Sequence, residues 1–151
     1  MTEVILEERR VYGLSTRTTI TQEMDPSQAK IGPLWQRFDQ EVPVDYQNGE
    51  RVYGVYSNYE SDATGAFSAV AAYDGKKRAT LEEVTLPSGK YLLFEAEVNG
   101  ADDAARTKTV IQLWTEVWEY FSKQPKYTRA FQTDFDFYNG PTHIEVYVSI
   151  L

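Results

Sequence analysis

The chain has 151 residues, 42% hydrophobic and 25% charged, the profile of a single globular domain able to bury a substantial core. Its net charge of −8 argues against nucleic acid as a direct partner, because phosphate binding needs clustered Lys and Arg, and it favours cationic over anionic ligands. The absence of cysteine excludes disulfides, thiolate zinc sites and thiol catalysis. No apolar run reaches the length of a membrane span and the N-terminus lacks a signal-peptide pattern, so a cytoplasmic protein is expected.

Val11 to Ile20, rich in Thr, reads as a strand. Asp25-Pro26 has the form of a helix start, and Gly32-Pro33 then predicts a kink or a fresh start before Leu34, with an end near Val42-Pro43. Two strands follow, Arg51 to Tyr59 and Ala66 to Tyr73. Thr80 to Leu86 reads as a link too short to separate domains. Lys90 to Val98 is the next strand, and Asp102 or Asp103 caps a helix that ends before Pro125. Ala130 to Tyr138 and His143 to Ile150 close the chain as strands around Asn139-Gly140-Pro141.

This order is strand, helix, strand, strand, written twice. Ile31, Leu34, Trp35, Phe38 and Val42 share their helical spacing with Val110, Leu113, Trp114, Val117 and Phe121, 79 positions later. The same offset pairs Tyr12 with Tyr91 and Tyr56 with Phe135. A duplicated α+β unit is expected, with pseudo-repeats at about 5–75 and 84–151 inside one domain covering 1–151, and a cleft where the halves meet.

The single histidine, His143, stands at a strand start with no second imidazole for a metal and no nucleophile beside it, so a surface role is expected. No phosphate-binding glycine loop occurs. Phe131, Thr133, Phe135 and Phe137 alternate with Gln132, Asp134, Asp136 and Tyr138, which predicts an apolar core face and a polar face. That polar face either meets water or lines the cleft with Asp136 and Tyr138. Glu95 shares a strand face with Tyr91, Leu93 and Glu97 and is the second acid candidate. Trp35, Trp114 and Trp118 lie on the helix stripes, where tryptophan serves as core or as a pocket wall.

Ile31-Gly32-Pro33-Leu34-Trp35-Gln36-Arg37-Phe38, Val52-Tyr53-Gly54-Val55-Tyr56, Leu113-Trp114-Thr115-Glu116-Val117-Trp118, Phe135-Asp136-Phe137-Tyr138 and Ile144-Glu145-Val146-Tyr147-Val148 together resemble the GyrI-like effector-binding domain of AraC-type and MerR-type regulators. The match is nearest to stand-alone members, including those carried on mobile gene cassettes. The resemblance implies a curved antiparallel sheet, two long helices and a central groove that binds amphipathic, often cationic molecules against aromatic walls and a buried acid. Asp136 occupies a position where the family usually has Glu.

The resulting expectation is a binding module without cofactor or metal. Asp136 and Glu95 are its candidate acids. Tyr53, Tyr56, Tyr91, Trp114, Trp118 and Tyr138 are candidates for the wall, joined by Trp35 and Phe38 from the first helix stripe. Two other classes stay open: hydrolysis of strained electrophilic toxins, and an acidic inhibitor that binds a protein partner.

Overall fold

The computed structural model describes residues 1–100, 102–123 and 125–151. Eight strands form one antiparallel sheet: β1 (Thr2–Leu6), β2 (Arg9–Thr18), β3 (Val52–Ser57), β4 (Phe67–Tyr73), β5 (Glu82–Leu86), β6 (Gly89–Glu97), β7 (Asp134–Tyr138) and β8 (His143–Ser149). Their order across the sheet is β1-β6-β8-β7-β3-β4-β2-β5. Exchanging β1–β4 with β5–β8 reverses this order onto itself, which is the arrangement a duplicated unit leaves. Each half gives its first strand to the far edge of the other half, β1 to β6 and β5 to β2.

Sequence periodicity located six of these strands. β5 lies in the segment expected to be a link, and β1 was not anticipated at all. Both are short edge strands with one partly buried face, so they carry little periodic signal. The strand expected from Ala130 begins only at Asp134, because Phe131 takes a left-handed φ of 53° that breaks the alternation.

Helix α1 (Ile20–Glu23) is a single turn. Asp25-Pro26 does not start a helix: the Asp25 carboxylate instead accepts from the Ser27 amide at 3.0 Å and closes a local turn. Helix α2 (Ile31–Glu41) starts afresh, with Pro33 in its first turn, where a missing N–H costs nothing. Its N-cap residue, Lys30, makes no side-chain cap, so Glu23 reaches across to accept from the Lys30 and Ile31 amides at 2.8 and 3.1 Å. Helix α3 (Asp103–Ser122) is capped by Asp102, which accepts from the Ala105 amide at 2.8 Å.

α2 lies over β2 and β4, and α3 over β6 and β8. Leu34 and Phe38 seat the first helix against Leu14, Ala71 and Tyr73; Leu113 and Val117 seat the second against Leu92, Phe94 and Val146. The central strands β3 and β7 therefore run beneath the gap between the helices. Among the described residues no helix packs on the opposite face. There Val11, Tyr53, Val55, Tyr91 and Phe135 form a third core with Val4 and Leu6 of β1 and Val84 and Leu86, so the sheet curls until both edges contribute to one interior.

The single offset of 79 holds for the Leu-Trp helices but not for the strands. Tyr12 packs on the α2 side whereas Tyr91 faces the curl; Tyr56 faces the helices whereas Phe135 does not. β1 and β5 stand 80 residues apart, and the β3–β4 connection spans residues 58–66 against 139–142 for β7–β8. Loops of unequal length shifted each element by its own amount. Among the described residues, no helix is long and apolar enough to cross a membrane.

The curl depends on a close approach at Gly13, where an added Cβ would stand 2.0 Å from the Ala71 carbonyl oxygen on β4. Backbone cannot yield there as a flexible side chain would. Gly13→Ala is expected to cost about 2–3 kcal/mol in urea unfolding. Ile111→Ala on the exposed side of α3 should stay within about 0.5 kcal/mol. A Gly13→Ala protein as stable as the parent would contradict this packing.

Candidate functional site beneath the helix gap

Gly54 of β3 and Asp136 of β7 face each other across the central strand pair. Both project toward the helices. A Cβ on Gly54 would sit 2.4 Å from Asp136 Oδ1, so the glycine leaves the space that the carboxyl group fills. Tyr56 and Tyr138 lie two residues beyond Gly54 and Asp136 on their strands and flank the acid from the two halves. Tyr56 donates its hydroxyl proton to Asp136 Oδ2 at 2.8 Å, and Trp114 Nε1 of α3 donates to the same oxygen at 3.2 Å.

Asp136 is fully buried, and its Oδ1 has no hydrogen-bond partner. Tyr138 and the Gly54 amide lie close enough to favour ionisation, yet neither completes a bond to that oxygen. Burial dominates and pushes the carboxyl pKa up to about 6, against the opposing pull of Tyr56 and Trp114. Burial also raises the Tyr56 and Tyr138 hydroxyls well above the usual tyrosine range, and the neighbouring Asp136 adds to the effect. Both stay protonated.

A second buried acid on β7 gives the contrast. Asp134 is also 0% exposed, but it pairs with Arg129 at 2.9 Å and accepts from Tyr59 at 2.6 Å. Its other oxygen accepts from the Ser149 amide and hydroxyl at 2.8 and 3.0 Å. Asp134 is internally neutralised. No Lys, Arg or His among the described residues forms an ion pair with Asp136.

Rings surround the unpaired acid. Tyr56 meets Trp114 edge-on at 5.4 Å and Phe67 at 6.1 Å; Trp35 meets Tyr138 at 6.1 Å and Phe38 at 5.4 Å. Asp136, Tyr138, Trp114, Tyr56 and Trp35 are thus brought together, with Phe38 buried behind Trp35. The polar alternation of β7 faces the helices rather than water, because both sides of a curled, helix-covered sheet are interior.

The remaining sequence candidates lie elsewhere. Tyr53 and Tyr91 belong to the opposite core, where Tyr91 donates to the Pro87 carbonyl at 2.6 Å. Glu95 is on that same far face, its side chain half exposed and 3.1 Å from His143. Trp118 is 41% exposed on α3. His143 is partly exposed, with its Nδ1 2.6 Å from the exposed Glu97. Gly54 was missed as a site residue, although a glycine inside an aromatic strand is a recognised mark of close approach.

The integron-associated effector-binding protein family, Cass2, matches residues 4–150. An integron cassette protein from the mobile metagenome of Vibrio cholerae is 34% identical over 99% of this chain and 95% of its own, with a TM-score of 0.86. The structure of SAV2435 bound to tetraphenylphosphonium is 20% identical over 99% and 93% of the two chains, with a TM-score of 0.66. A Staphylococcus aureus MU50 protein described as a candidate bacterial transcription regulator is 19% identical over 99% and 96%, at 0.67. These likenesses carry the expected GyrI-like α+β fold. Comparison with curated proteins yields no match. With a family match spanning nearly its whole length, the chain belongs to the Cass2 family of integron-associated effector-binding proteins.

Proposed function

We propose that the chain binds amphipathic organic cations beneath the gap between α2 and α3, with Asp136 as the counter-charge. The observation that carries this reading is the contrast between two buried acids. Asp134 has a full set of internal partners including a guanidinium, whereas Asp136 has two neutral donors and one bare oxygen. An unpaired buried carboxylate is costly: the gap between an ordinary Asp and a pKa of about 6 corresponds to about 3 kcal/mol at high pH. A ligand cation recovers that cost, and the surrounding rings supply apolar area and π faces for it. The tetraphenylphosphonium held by a protein of the same fold fits this chemistry.

Because Asp136 is fully buried, entry requires the half-buried Trp114 and Tyr138 side chains to swing outward. Charge selection then arises in a low-dielectric site, where a cation gains far more than in water. A neutral molecule of the same shape gains only the apolar part.

Tetraphenylphosphonium is expected to quench the tryptophan fluorescence in a saturable way, with neutral triphenylphosphine oxide binding more weakly. Asp136→Asn should weaken the cation by about 1–3 kcal/mol, or about 5- to 150-fold, and leave the neutral compound nearly unchanged. Equal losses for both compounds would remove the charge-pairing role.

Protonation of Asp136 cancels its charge, which sets the pH dependence. Cation affinity should be level above about pH 7 and fall roughly tenfold per pH unit below about pH 6, with no such fall for the neutral compound. A pH-independent cation affinity between pH 5 and 8 would contradict the assignment.

The same group makes a stability prediction. Folding raises this carboxyl above its unfolded pKa, so stability is greatest while the group is protonated and is lost as pH rises through about 6. Asp136→Asn, uncharged throughout, should be more stable than the parent at about pH 8, by up to about 3 kcal/mol, and should lose that advantage near pH 4. Thermal unfolding across this range reads the difference.

A further inference from the structure

The face of the sheet away from the helices carries a separate polar cleft of about 330 Å³, lined by Ser15, Ser57, Ser68, Thr133, Glu82 and Val84 among others. The volume lies at the lower end of small-molecule pockets, about 300–1,000 Å³. Its hydroxyls come from four separate stretches of chain: Ser57 and Ser68 stand directly opposite each other on β3 and β4, Ser15 projects from β2, and Thr133 precedes β7. Edge strand β5 closes the side with Glu82, whose carboxylate accepts from Ser15 at 2.5 Å. Among the described residues, none hydrogen-bonds the Ser57 or Thr133 hydroxyl, although Thr133 is only 8% exposed.

The duplication supplies a control for this cleft. The cross-strand pair Ser15–Val70 occupies the place that Glu95–Glu145 holds in the other half, and Arg17–Ser68 the place of Glu97–His143. In that second half the position is filled by its own side chains. His143 contacts Glu95 at 3.1 Å and Glu97 at 2.6 Å, and Asn139 donates to Glu145 at 3.1 Å. In the first half small hydroxyls leave the space open. The neighbouring cation, Arg17, is engaged by the Asn58 carbonyl at 2.5 Å and by Ser68 at 3.1 Å.

We infer that this cleft is a second ligand site, built for a small hydroxylated amine. The hydroxyl row matches a polyol, which both donates and accepts, and the Glu82 carboxylate favours an ammonium group over an anion. The site is independent of Asp136, which faces the other side of the sheet.

Glucosamine and glucose, titrated into the isotope-labelled full chain, test the assignment by amide NMR. Glucosamine is expected to shift the Ser57, Ser68, Val70 and Val84 amides in a saturable way, and glucose to shift the same amides with weaker affinity. Glu82→Gln should weaken glucosamine about tenfold and bring it close to glucose. Ser57→Leu, which fills the cleft, should abolish both sets of shifts while tetraphenylphosphonium quenching is retained. The inference is overturned by the absence of shifts at tens of millimolar glucosamine, by equal affinity in Glu82→Gln, or by shifts centred on Tyr56 and Trp114 instead. Resolved native spectra of both variants establish that any loss is not a loss of folding.

Discussion

One constraint marks the centre of this fold: the Asp136 carboxyl group is fully buried in the middle of the sheet and has no ion-pair partner among the described residues. Asp136 and Gly54 face each other where the two halves meet. One half supplies the acid, and the other supplies the absence of a side chain, because two carboxylates that close would repel and neither would fit. The flanking Tyr56 and Tyr138 come one from each half, and α3 adds the Trp114 indole N–H. Duplication therefore gives an approximately symmetric cluster of rings around a single, asymmetric charge. A protein selected for stability alone would place an apolar residue at 136, or give the acid an arginine as it does for Asp134.

The helices and the curl of the sheet serve that arrangement. α2 and α3 sit over the lateral strands and leave β3 and β7 beneath the gap, so the acid is screened by half-buried rings rather than by a packed helix. On the opposite face the exchange of β1 and β5 between halves covers the middle of the sheet. Tyr53, Tyr91 and Phe135 then fill an interior that is separate from the rings around Asp136. Exchange of edge strands also ties the halves together, since neither sheet half is complete on its own.

Much of this was legible in the sequence, and the failures share a cause. The Leu-Trp stripes exposed both helices and the duplication because a helix of 11 or 20 residues repeats its period several times. Asp136 and Tyr138 were legible from strand alternation together with the motif they sit in. Tyr53, Tyr91 and Glu95 were placed with them because alternation tells which residues share a face of one strand but not which faces of different strands coincide. That requires the register between strands, and register here follows loop lengths that differ between the halves. A shift of one residue turns every side chain to the other side of the sheet. The edge strands escaped for a related reason: five residues, half exposed, offer no period to read.

The central claim is that an external cation pairs with the ionised form of Asp136, and proton counting tests it most directly. Near pH 6 the free protein holds this carboxyl about half protonated, and a bound cation drives the remaining proton off. Calorimetric titration with tetraphenylphosphonium near pH 6, in two buffers of different ionisation enthalpy, measures that release. The account predicts release of about half a proton per ligand bound, falling to none near pH 8 and absent in Asp136→Asn. Binding of the cation with no proton release near pH 6, or with the same release in Asp136→Asn, would contradict it.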